Sequence, residues 1–113
     1  MSNRVYIAGA GIISAIGNNI TENLAALESG QAGMGEMKYL LSAHRGKIPV
    51  AEVKMDNAGL AALSGLPSHY SRTALLSAIA AKEALTNAAI PDFSTLRSGF
   101  ISANTVGGMD KTE

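Results

Sequence analysis

Residues 5–8 (VYIA) open a nearly unbroken apolar run that passes through Gly9 and Gly11 and resumes at Ile12 and Ile13. Such a run, rich in β-branched and aromatic side chains and lacking alternation, is the pattern of a strand buried on both faces, so a central parallel strand is predicted here. Gly17, Asn18 and Asn19 break it. Thr21 stands at an N-cap position ahead of Glu22 and the apolar Leu24, Ala25 and Leu27, which predicts a short helix that stops at Gly30.

From residue 31 to 68 the pattern is weak. Gly33, Gly35, Gly46, Pro49, Gly59, Gly65 and Pro67 punctuate it, and residues 50–55 (VAEVKM) are the only alternating, strand-like piece. A long excursion with short local structure is expected. Ser71 then opens the strongest helix of the chain, which runs to Pro91. Ala74, Ala78, Ala81, Leu85 and Ala89 form a smooth stripe on one face suited to close packing, while Leu75, Leu76 and Ile79 make the first half apolar nearly all round. Lys82, Glu83, Thr86 and Asn87 appear only in the second half, so the helix should begin inside the protein and end near its surface. Pro91, Asp92 and Ser94 predict a turn, and residues 98–108 (SGFISANTVGG) a second buried strand ending in a glycine pair. Strand, helices, strand implies a right-handed parallel crossover and hence an α/β sheet.

Composition narrows the function. The 113 residues are 47% hydrophobic and 16% charged, with nine basic and nine acidic side chains, which suits a globular chain of one small domain. The charges are scattered, so no basic patch offers a footprint for nucleic acid. The N-terminus lacks the hydrophobic length and cleavage site of a signal peptide, and no membrane span is expected, which predicts a cytoplasmic protein. Cysteine is absent, which removes disulfides, thiolate zinc sites and a cysteine nucleophile from these residues.

Gly9 and Gly11 raise the possibility of a dinucleotide cradle. That fingerprint needs a third small residue and an immediate helix whose free N–H groups hold the phosphate. Here Ser14 holds the third position, the helix is postponed to about Thr21, and the acidic residue at the right distance, Glu28, falls inside that helix. The glycines read better as gaps that let another backbone or side chain approach a buried strand closely. His44 and His69 lie in the loop-rich stretch without ligand spacing or a cysteine partner, and ordinary surface histidines are expected. No metal or cofactor is expected.

Residues 4–18 (RVYIAGAGIISAIGN), followed by 24–33 (LAALESGQAG), resemble the N-terminal signature of the β-ketoacyl-acyl carrier protein synthases. Arg72 with the alanine-rich helix carrying Lys82, Glu83, Ala84 and Leu85 is similar to the family's central helix, and residues 98–108 to the strand that ends in its Gly-Gly turn. The resemblance covers nearly the whole chain and about the first quarter of a family member. It implies a partial thiolase-like fold: an α/β arrangement with a layered parallel or mixed sheet and a buried alanine-rich helix. Residues 1–113 would then be the N-terminal part of the first thiolase-like half.

The activity implied is that of a 3-oxoacyl-[acyl-carrier-protein] synthase, which condenses an acyl thioester with malonyl-carrier protein in fatty acid or polyketide synthesis. In the family a cysteine takes the acyl chain, and two histidines assist decarboxylation and carbanion attack. None of those residues is expected within this chain. By the resemblance Val106, just before Gly107 and Gly108, lines the far end of the acyl pocket, often across a dimer interface; the same valine suits a plain strand-end core position. The glycine pair is expected for tight turning. The implied partners are an acyl carrier protein and a second copy of the chain.

The chain also departs from the family pattern. Ala15 replaces the usual Pro, Ser71 stands where an Asp often precedes the central helix, and residues 63–69 (LSGLPSH) lack the basic side chains that many members use to dock the acidic carrier. A noncatalytic synthase-like partner subunit is therefore the alternative. Alone, the 113 residues are expected to be inactive and to self-associate, because Leu75, Leu76, Ile79, Phe100 and Ile101 would each lose burial worth about 1.5–3 kcal/mol.

Overall fold

The computed structural model describes residues 3–112; Met1, Ser2 and Glu113 lie outside it, and with them the first two residues weighed for a signal peptide. The elements are α1 (Ile20–Glu28), β1 (Gly35–Glu36), β2 (Pro49–Val50), α2 (Asn57–Ser64), α3 (Arg72–Asn87) and a 3₁₀ turn (Met109–Lys111).

Helix α1 starts one residue before the expected cap. Asn19 is its N-cap, the side-chain oxygen accepting from Glu22 N at 2.9 Å. Asn23, one of two buried residues of this helix, explains the placement. Its amide nitrogen donates to the carbonyls of Gly17 and Asn19, at 3.0 and 2.8 Å, and its oxygen accepts from the Ser14 hydroxyl. The turn at residues 14–17, closed by Ser14 N donating to Gly17 O at 2.8 Å, is thereby fastened to the helix it precedes.

The punctuated middle of the chain contains a helix that its glycines conceal. Asp56 caps α2 by accepting from Gly59 N at 2.8 Å, and Leu60 projects inward with no exposed surface. Leu60 packs with Leu75 and Ile79, one turn apart on α3, and with Val53 to form the core. Ile13, Met55, Ala61, Leu66 and Leu76 close over it. The buried residues of α3, Arg72, Leu75 and Ile79, all fall in its first half, so the helix does run from the interior toward the surface.

The strand expectations fare differently. Of residues 50–55 only Val50 is in a strand, paired with Gly35 in a two-stranded antiparallel sheet. Residues 5–8 and 98–108 form no ladder. Val5, Ile7, Phe100 and Ile101 are between 87% and 97% exposed. A parallel strand needs hydrogen-bonded neighbours, and these two segments supply none to each other. No layered parallel sheet is present among the described residues. The radius of gyration is 16.3 Å, against about 13 Å for a compact chain of this length. Of the five residues expected to lose burial, Leu75 and Ile79 are in fact covered by α2, whereas Phe100 and Ile101 are bare. The turn after α3 forms as expected, with Asp92 accepting from Ser94 N at 2.8 Å and Ser94 Oγ at 2.7 Å.

Candidate functional site

Gly9 and Gly11 lie directly on the backbone of α3. A Cβ on Gly9 would overlap the Ala84 carbonyl and come within 2.7 Å of Ala88 N; one on Gly11 would overlap the Ala80 carbonyl and come within 2.8 Å of Ala84 N. Two glycines at i and i+2 thus fit alanines at i, i+4 and i+8 of a helix, and only paired small residues allow so near an approach. Polar groups fix the register. Asn87 Nδ2 donates to Ala10 O at 2.9 Å, and the Glu83 carboxylate accepts from Ile12 N at 2.9 Å and Ile20 N at 2.8 Å. Glu83 stands one turn beyond Ile79 on the core-facing ridge and joins the glycine segment, α1 and α3.

This seam leaves no cradle for a phosphate. The space above the glycines is filled by α3, and the next helix begins only at Ile20. The packing alanines are Ala80, Ala84 and Ala88; the stripe read from the sequence lies on another face, where Ala78, Ala81, Leu85 and Ala89 border an open apolar cleft of about 620 Å³.

Val106 is 61% exposed. It belongs to a turn in which Asn104 Oδ1 accepts from Gly107 N at 2.9 Å and Gly108 adopts φ +83°, a left-handed conformation that glycine takes freely. Gly107 and Gly108 border a cleft of about 760 Å³ between Thr73, Ala74 and Ser77 on α3 and the apolar pair Phe100 and Ile101; Val106 is not among the residues that border it. The turn is tied to α3 by Gly108 N donating to Thr73 Oγ1 at 3.4 Å and by Arg72 N donating to Asp110 Oδ2 at 2.9 Å.

Two charged side chains are buried near the start of α3, each with its own hydrogen-bond partners. Glu52 is 4% exposed and Arg72 7%. The Glu52 carboxylate accepts from three successive amides: Lys38 N, Tyr39 N at 3.1 Å and Leu40 N at 2.9 Å. Burial pushes this carboxyl up, but the three N–H groups and the charge of Lys54 outweigh it and hold Glu52 below the usual carboxylate range. Arg72 donates to Val53 O at 2.9 Å and Asn57 Oδ1 at 3.0 Å, joining β2's extension to α2. Its burial draws the guanidinium down, opposed by Glu52, Asp110 and Asp56, and it stays charged. Arg45 spans the same loop from outside, donating to the carbonyls of Lys38 and Leu40 at 2.7 and 2.9 Å.

His44 and His69 are exposed and belong to neither constellation. The His69 ring stacks on Tyr70 with centroids 4.8 Å apart. Among the described residues no group of three or more His, Asp or Glu is placed to hold a metal ion, and no helix is long and apolar enough to cross a membrane.

Sequence reasoning missed Asn23, Glu52, Glu83 and Asp110. Glu52 occupies a polar position of the alternating stretch, where an outward carboxylate is the usual outcome; its amide partners sit 12 to 14 residues upstream without a motif to announce them. Only Asn23, a polar residue on the apolar side of a short helix, carried a local signal. No protein-family model, curated protein or solved structure matches the chain.

Proposed function

We propose that the chain is the N-terminal part of the first thiolase-like half of a cytoplasmic β-ketoacyl-acyl carrier protein synthase, an acyltransferase of fatty acid or polyketide synthesis. In this reading a cysteine and two histidines elsewhere in the protein perform the condensation, and these residues supply scaffold and one wall of the acyl pocket at Val106. The observation that carries the reading is the glycine–alanine seam. It gives Gly9 and Gly11 a packing role, as the resemblance requires, and leaves a nucleotide nothing to rest on. Bare apolar side chains at residues 5–7 and 100–101 support it further, because they suit strands of a sheet completed by other parts of the protein.

The test is an assay of the protein carrying these residues together with their downstream sequence. With acyl- and malonyl-carrier protein it should release carbon dioxide, form a 3-oxoacyl product and lose activity on thiol alkylation. Binding of a synthase partner without any product would instead favour the noncatalytic subunit, and tight dinucleotide binding would refute both. The 113 residues alone should be inactive. With zero formal net charge and exposed apolar segments, they should also associate with further copies; a compact monomer by light scattering would contradict this.

A further inference from the structure

We propose that Asp110 is the positioning residue that sets the turn of residues 104–108, and with it Val106, against the N-terminus of α3. The inference rests on the reading of Val106 as part of an acyl pocket. A helix leaves its first N–H groups without intrahelical partners. Ser71 Oγ takes that of Ala74 at 3.3 Å, and Asp110, 38 residues downstream, takes that of Arg72 at 2.9 Å. A carboxylate there is favoured by the helix dipole as well as by the hydrogen bond.

The residue it grips is well fixed, since Arg72 is buried with its guanidinium bonded to Val53 O and Asn57 Oδ1. The left-handed Gly108 turns the chain back so that the following 3₁₀ turn brings Asp110 to α3. Without Asp110 the remaining hydrogen bond from this turn to α3 among the described residues is that of Gly108 to Thr73, at 3.4 Å the longer of the two. Val106 is too exposed to be held by packing, so the hydrogen bonds on either side of it determine where it stands. An oxygen acceptor is what the geometry requires, and an asparagine can provide one.

The test compares Asp110→Ala with Asp110→Asn. In the 113-residue chain, Asp110→Ala should lower hydrogen-exchange protection of the Arg72 amide about fivefold, the usual effect of losing a cap, while Asp110→Asn retains most of it. In the longer protein, Asp110→Ala should shift products toward longer acyl chains with the turnover of short acyl substrates unchanged, and Asp110→Asn should restore the original distribution. Thr73→Val, which spares the Asp110 bond, should shift products less in the same direction and serves as the second variant. Unchanged Arg72 exchange in Asp110→Ala, or a loosened turn with unaltered product length, overturns the inference. Absence of condensation in the unmutated longer protein overturns the functional reading instead, and the exchange measurement still decides the tether.

Discussion

The α2–α3 region and the two apolar segments at residues 5–8 and 98–103 carry similar side chains and end up in opposite environments. Leu60 and Leu75 have no exposed surface, whereas Ile7 and Ile101 are more than 90% exposed. Hydrophobicity does not separate them. A helix satisfies its own backbone, so α2 and α3 need only lay one apolar face on the other. A strand must borrow hydrogen-bond partners from neighbouring strands, and residues 5–8 and 98–103 have none among the described residues.

The largest effect that can break this comparison is Leu75→Ala. It should cost about 2–5 kcal/mol by cavity formation, while Ile101→Ala in the same chain should stay within about 0.5 kcal/mol. Denaturant titrations of both variants give the answer, and equal losses would place Ile101 in a core. Gly11→Ala comes next. Its methyl group would overlap the Ala80 carbonyl, so a loss of about 1–3 kcal/mol is expected, where an open glycine would gain stability from the same change.

Glu52→Gln sharpens the other side of the comparison. The folded carboxyl lies below its ordinary value of 4.5, so its contribution is full above that pH and is lost as pH falls through the folded pKa. Glu52→Gln should cost on the order of 1–3 kcal/mol at neutral pH and flatten the acid limb of the stability profile, measured by melts at stepped pH. An unaltered acid limb would show that the three-amide grip adds nothing. The smallest effect is a gain. Ala89 sits just past α3 at φ +54°, a conformation costly for a residue with a Cβ, and Ala89→Gly should stabilise by about 0.5–1 kcal/mol in the same assay.

The helices were legible in the sequence to the extent that their signals were local. Ser71 as a cap, the apolar first half of α3 and the Asp92–Ser94 turn all depend on residues within a few positions of one another. The close approach at Gly9 and Gly11 was legible too, but its partners were not: Ala80, Ala84 and Ala88 lie outside the stripe that the spacing suggests for close packing, because periodicity names every face of a helix without naming its partner. Helix α2 was hidden by Gly59, whose place is the first turn, where helix propensity matters least. Glu52, Glu83 and Asp110 act through partners 12 to 71 residues away, and no spacing rule reaches so far. Val106 was named through a family resemblance, and its position depends on such a distant tie.

Hydrogen exchange resolved by residue, on the 113-residue chain and on the longer synthase that the proposed function calls for, tests the central claim most directly. Amides of Leu75 and Ile79 should be protected in both. Those of residues 5–8 and 99–103 should exchange freely in dilute, monomeric 113-residue chain and become as protected as α3 once the downstream residues are present. If they stay unprotected in the longer protein, these segments are not strands of a completed sheet, and the ketosynthase reading is wrong.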